Sequence, residues 1–147
     1  MGNHSEVDEA VWLAMQERLG LTDTQLEALK KRPSWHKILR TDTIEKVVRT
    51  NVVFEVVESH SCNIGHKVGD RFFFNAEGYM LAHKGPEKVC PFIMPVMTRI
   101  MWLVQERIYE GLDPRPTFYF GDCDDVGLEC GGLGKVRLES KITYDGV

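Results

Sequence analysis

Lys135-Val-Arg-Leu-Glu-Ser-Lys-Ile-Thr-Tyr144 is the stretch of the chain with the clearest structural pattern. Val136, Leu138, Ser140, Ile142 and Tyr144 alternate with Lys135, Arg137, Glu139, Lys141 and Thr143. A period of two with one apolar and one charged face marks a half-buried antiparallel strand. Upstream, Val47–Glu58 is rich in Val and Phe on both faces, the pattern of a central strand. Arg71–Phe74, Tyr79–Ala82 and Thr117–Phe120 read as shorter strands between turns rich in Gly, Pro and Asn.

Between them, Phe92–Tyr109 carries Ile93, Val96, Met97, Ile100, Met101, Leu103, Val104 and Ile108 around most of a helix, and a helix of that kind is buried. Pro91 suits a first helical position, but Pro95 one turn later does not. The helix is therefore expected to have a loose first turn or to start nearer Met94. Residues 1–40 read as a helical appendage. Ser5 with Asp8, and Thr22 with Gln25, give capping signatures, Gly20 a stop, and Trp12 and Trp35 apolar anchors. Pro33 is expected to end the second helix and Ser34 to cap a last turn. The expected fold is α+β: a small, mainly antiparallel β-β-(β)-α-β-β sheet packed on one long buried helix and preceded by an N-terminal helical hairpin. The expected division is an extension over residues 1–43 and a cysteine-containing domain over 44–147.

The chain has 147 residues, enough for one domain that buries roughly two-thirds of its unfolded surface without a staple. Its 18 Lys and Arg against 22 Asp and Glu give a net charge of −4, with no basic stripe for nucleic acid. The first ten residues have neither the basic nor the apolar region of an export signal, and no run approaches the roughly 18 apolar residues of a membrane span. The expected compartment is the cytoplasm, with no nucleic-acid or membrane partner.

Four cysteines, Cys62, Cys90, Cys123 and Cys130, are separated by 27, 32 and 6 residues. Cytosolic cysteines rarely form structural disulfides. Free thiols are often small buried hydrophobes, but these four fall in loop composition or at element boundaries, where scaffolds place chemistry. One reading is a metal centre, zinc or an iron–sulfur cluster, held by the four cysteines with His66 as reserve ligand or supporting partner. No CxxC spacing supports it, so the site has to be assembled from separate loops. A second reading is a cofactor-independent enzyme: Cys90, near a helix start, as nucleophile and His66 as base. A third is a non-catalytic interaction module built as a homo-oligomer through the helical extension and the long helix, and a partner enzyme or redox protein is compatible with the first reading. Asp70 reads as a turn carboxylate. Asp122, Asp124 and Asp125 lack the spacing of a calcium loop. Gly127, Gly131, Gly132 and Gly134 precede a strand and so suit close backbone approach better than phosphate binding.

Cys62, the block Gly65-His66-Lys67-Val68-Gly69-Asp70, Cys90-Pro91 and Gly121-Asp122-Cys123 together resemble a family of small uncharacterised bacterial and archaeal proteins of the form C…GHxVGD…CP…C. The resemblance covers about residues 48–142. It implies that Cys62, His66, Asp70, Cys90 and Cys123 belong together, and it implies no substrate. The N-terminal extension, and the Cys123–Cys130 segment in place of a Cys-Pro-Asp-Pro stretch, depart from that pattern.

Overall fold

The computed structural model describes residues 6–144. In chain order the elements are α1 (Glu9–Leu19), α2 (Asp23–Lys30), α3 (Pro33–Ile38), α4 (Thr41–Arg49), β1 (Thr50–His60), β2 (Arg71–Asn75), β3 (Tyr79–Met80), α5 (Met94–Tyr109), β4 (Phe120–Asp122) and β5 (Lys135–Tyr144). The strands make one antiparallel sheet in the order β3-β2-β1-β5-β4, so the fold is α+β with an N-terminal helical region. The doubly apolar β1 is the central strand, as its composition requires.

The alternating stretch forms β5 over its whole length, paired with β1 from Thr50↔Tyr144 to His60↔Lys135. Val136, Leu138 and Ser140 face inward with Val52, Phe54 and Val56 of β1 and Phe72 and Phe74 of β2. On the wet face Glu55 accepts from Arg71 at 2.9 Å and from Lys141 at 3.2 Å, joining three strands with one carboxylate. A bulge between Val56 and Glu58 bends β1 near its end. There Val56 turns its N–H to Asp70 and its carbonyl to Gly69, which draws the loop after β1 back beside the sheet.

Helix α5 starts at Met94, and Pro95 lies in its first turn, where a missing N–H costs nothing. Val96, Met97, Ile100, Met101, Val104 and Ile108 lie on one buried stripe against the sheet. The burial is one-sided: Trp102 is 68% exposed and Leu103 also faces out.

The N-terminal helices build a second, smaller core from Val7, Trp12, Leu26 and Leu39, with Val11, Met15, Leu29, Trp35, Ile38 and Ile44 packed around it. The Thr22–Gln25 capping box is present in both halves. Asp8 caps α1 by accepting from Ala10 N–H at 2.9 Å, while Ser5 lies outside the described residues. An ion pair between Lys37 and Glu110, and Lys46 Nζ donating to the Leu112 carbonyl at 2.7 Å, tie this layer to the end of α5.

Helix α2 stops at Lys30 with Lys31 as its cap, two residues before Pro33, and the same proline opens α3, where its fixed φ is preorganised. Other local expectations are corrected. Arg32 rather than Ser34 occupies the cap position. Val47 and Val48 lie in the last turn of α4, and β1 begins only at Thr50. Their β-branched character suggests a strand, but burial at helical spacing decides the outcome: Ile44 packs into the N-terminal core and Val47 into the main one. Helix α4 therefore crosses the boundary expected at residues 43 and 44 and belongs to both layers. At the sheet edges, β3 is only Tyr79–Met80, and β4 is Phe120–Asp122 rather than Thr117–Phe120.

Ile100→Ala empties a fully buried position at the centre of α5 and is expected to cost about 3 kcal/mol in urea unfolding. Trp102→Ala, on the exposed side of the same helix, should stay within about 0.5 kcal/mol.

Candidate functional site

Beyond the last β1–β5 pair, His60↔Lys135, the chain turns at Ser61 with φ +53° and carries Cys62 across Gly134. A Cβ at Gly134 would lie 2.2 Å from the Ser61 carbonyl oxygen and 2.8 Å from Cys62 Cα, at φ +125°. Only glycine lets these two segments cross. Asn63 N–H continues the contact by donating to Leu133 O at 3.0 Å.

The returning loop buries His66, which is 4% exposed. Its carbonyl accepts from Ser59 Oγ at 2.6 Å, and its ring makes a T-shaped contact with Phe72, the centroids 5.3 Å apart. Nε2 accepts the Cys90 backbone N–H at 3.3 Å, so the ring proton belongs on Nδ1, 3.9 Å from Asp70 Oδ2. Burial pushes the imidazole below its ordinary 6.5, against the opposing pull of the Asp70 carboxylate. Asp70 also accepts from Lys67 N–H at 3.1 Å and is the turn carboxylate its setting suggests. The nitrogen that His66 turns toward Cys90 is thus engaged by the Cys90 amide. Cys90 itself lies a full turn before Met94, outside the first turn of α5.

Cys123 follows β4 and is buried. Its N–H donates to Val136 O at 2.8 Å, and its Sγ accepts from Val136 N–H at 3.3 Å. The segment between Cys123 and β5 is closed by Asp125, whose carboxylate accepts from Gly127 N–H at 2.8 Å and Leu133 N–H at 3.1 Å. At Gly132 a Cβ would meet Asp125 Oδ1 at 2.1 Å and Gly127 N at 2.8 Å, so the glycine-rich stretch does serve close backbone approach. Asp122 is held by Arg137 at 2.7 Å, which lowers its carboxyl below the usual range. Cys130 sits exposed in a short 3₁₀ turn, Leu128–Cys130.

These segments enclose a cavity of about 230 Å³. Cys62, Cys90 and Cys123 line it together with His66, between apolar walls of Ile64, Phe92, Ile93, Leu133 and Val136. Asp125 and Lys135 also reach it, with Lys135 Nζ donating to the Asp125 carbonyl at 3.1 Å. Four of the five candidate residues therefore meet at one place, and Cys130 is not among the lining residues. Among the described residues no group of three or more His, Cys, Asp or Glu is arranged to hold a metal ion, and no helix is long and apolar enough to cross a membrane. The apolar residues of the wall carry no chemical signature in the sequence. Asp125 does carry one, the Asp-x-Gly of a side-chain-closed turn.

Comparison with protein-family models, with curated proteins and with solved structures returned no match.

Two outcomes follow from this geometry. The unfolded chain binds a proton on His66 more readily than the folded one, so its share of stability is full above pH 6.5 and is lost as the pH falls through the lowered native value. Urea midpoints measured from pH 7.5 to 5 should fall, and His66→Gln should flatten that part of the profile. Gly134→Ala should destabilise the protein by about 2–4 kcal/mol in the same assay, because Ser61 and Cys62 must move.

Proposed function

We propose that Cys62, Cys90 and Cys123 bind an iron–sulfur cluster, in a redox or accessory role. The observation that carries this reading is the convergence of three thiols, from three separate chain segments, on the wall of one apolar cavity. Softness of the donors selects zinc or iron–sulfur chemistry. Of the two, the iron–sulfur cluster is the reading favoured by the Val136 N–H donated to Cys123 Sγ at 3.3 Å, since hydrogen bonds to ligating sulfur tune such centres.

On this reading His66 positions Cys90 through its backbone amide and ligates nothing. The proposed compartment is the cytoplasm, where free thiols stay reduced. The proposed assembly is a homo-oligomer or a complex with a redox partner protein; exposed Trp102 and Phe118 are consistent with either. Protein purified without oxygen should contain iron and sulfide in near-stoichiometric amounts, absorb near 400 nm, and lose both in Cys62→Ser, Cys90→Ser or Cys123→Ser while circular dichroism is unchanged. Zinc without sulfide, or no metal after anaerobic reconstitution, would overturn the assignment. In the latter case the three thiols would be read as a metal-free thiol site.

A further inference from the structure

Beyond that assignment and without resting on it, we infer that the cavity, when it carries no cluster, is a binding site for a small neutral aromatic molecule. Ile93 and Val136, 1% and 2% exposed, form its floor. Ile64, Phe92 and Leu133 line it too but are 39%, 53% and 58% exposed, so the space opens to solvent through an apolar rim. A cavity of about 150 Å³ walled by such side chains holds benzene. At about 230 Å³ this one has room for a bicyclic or substituted ring.

The charges of the lining are used within the wall, which disfavours an ionic ligand. The Asp125 carboxylate accepts from the Gly127 and Leu133 N–H groups, and Lys135 Nζ donates to the Asp125 carbonyl, so anion and cation belong to one closed loop. Burial favours the neutral form of His66, and its Nε2 accepts the Cys90 amide. An ion entering there would lose water and gain no free partner of opposite charge. Sulfur then selects among neutral ligands. Cys62, Cys90 and Cys123 stand on the wall, and polarisable sulfur makes favourable contacts with aromatic rings. Phe92 offers a ring of its own at the rim. The Asn63 amide, the remaining polar side chain of the lining, can meet one donor or acceptor on the ligand. The class that fits is an uncharged one- or two-ring aromatic with a single polar group.

The test uses the full chain, isotopically labelled, reduced and free of metal. Indole is the probe, with tryptamine and indole-3-carboxylate as its charged counterparts. In nuclear magnetic resonance titrations the amide signals of Cys62, Ile64, Leu133 and Val136 should shift saturably with indole. Phe92→Ala should weaken binding about tenfold, whereas Phe118→Ala, exposed and outside the lining, should leave it unchanged. Both charged analogues should bind about tenfold more weakly or worse. No saturable shift up to the solubility of indole, or shifts confined to residues outside the lining, would overturn the site. Equal affinity for a charged analogue would overturn the ligand class. The cluster assignment is separable: chain loaded with iron and sulfide should lose the indole response, and a loaded chain that keeps it would also overturn the site. Chain that takes up neither iron nor sulfide and still binds indole would remove the cluster and support this inference.

Discussion

The antiparallel ladder between β1 and β5 is the constraint from which the rest of the molecule follows. It runs from Thr50↔Tyr144 to His60↔Lys135 and sets which residues of both strands face α5. A slip of one residue would turn Val136 and Leu138 to solvent and Lys135 and Arg137 into the core. The same ladder sets the site. Cys62 leaves β1 just past its last pair and crosses Gly134, just before the first residue of β5. Cys123 is bound to Val136 through both its amide and its sulfur. Core and cavity are therefore two consequences of one register, and the cavity sits where the ladder stops.

His66 extends that order to the third thiol. A buried imidazole left without partners would cost about 1–3 kcal/mol, and here Nε2 is hydrogen-bonded, Nδ1 faces the Asp70 carboxylate at 3.9 Å and the ring packs against Phe72. In meeting those needs it fixes the backbone at Cys90, far from β1 in sequence. Asp125 does comparable work on the opposite wall. With His66, Asp125 and Lys135 committed to the frame, the three cysteines and the Asn63 amide are the polar side chains left to the cavity.

The fold was readable where the sequence pattern is long and packing agrees with local preference, as in β5, central β1 and the start of α5 near Met94. It was misread at α4, because Val47 and Val48 favour strand in isolation and helix only once two cores compete for Ile44 and Val47. The edge strands were misplaced because their limits depend on what the neighbouring strand offers. At the site, loop composition singles out Cys62, Cys90, Cys123 and Cys130, with His66 beside the first, but says nothing of whether they converge; four of these five line one cavity. Composition gave no reason to set Cys130 apart, since exposure there is decided by a 3₁₀ turn between Gly127 and Gly131. Nor could composition single out Phe92 and Leu133, which look like any surface apolar residues until the cavity is seen.

The segments carrying Cys62, Cys90 and Cys123 are each held by a hydrogen bond of the frame that the ladder and His66 make: Asn63 N–H to Leu133 O, the Cys90 N–H to His66 Nε2, and the Cys123 N–H to Val136 O. The wall of the cavity is thus set by backbone contacts, so the three cysteines stand on a surface already in place before anything meets them there.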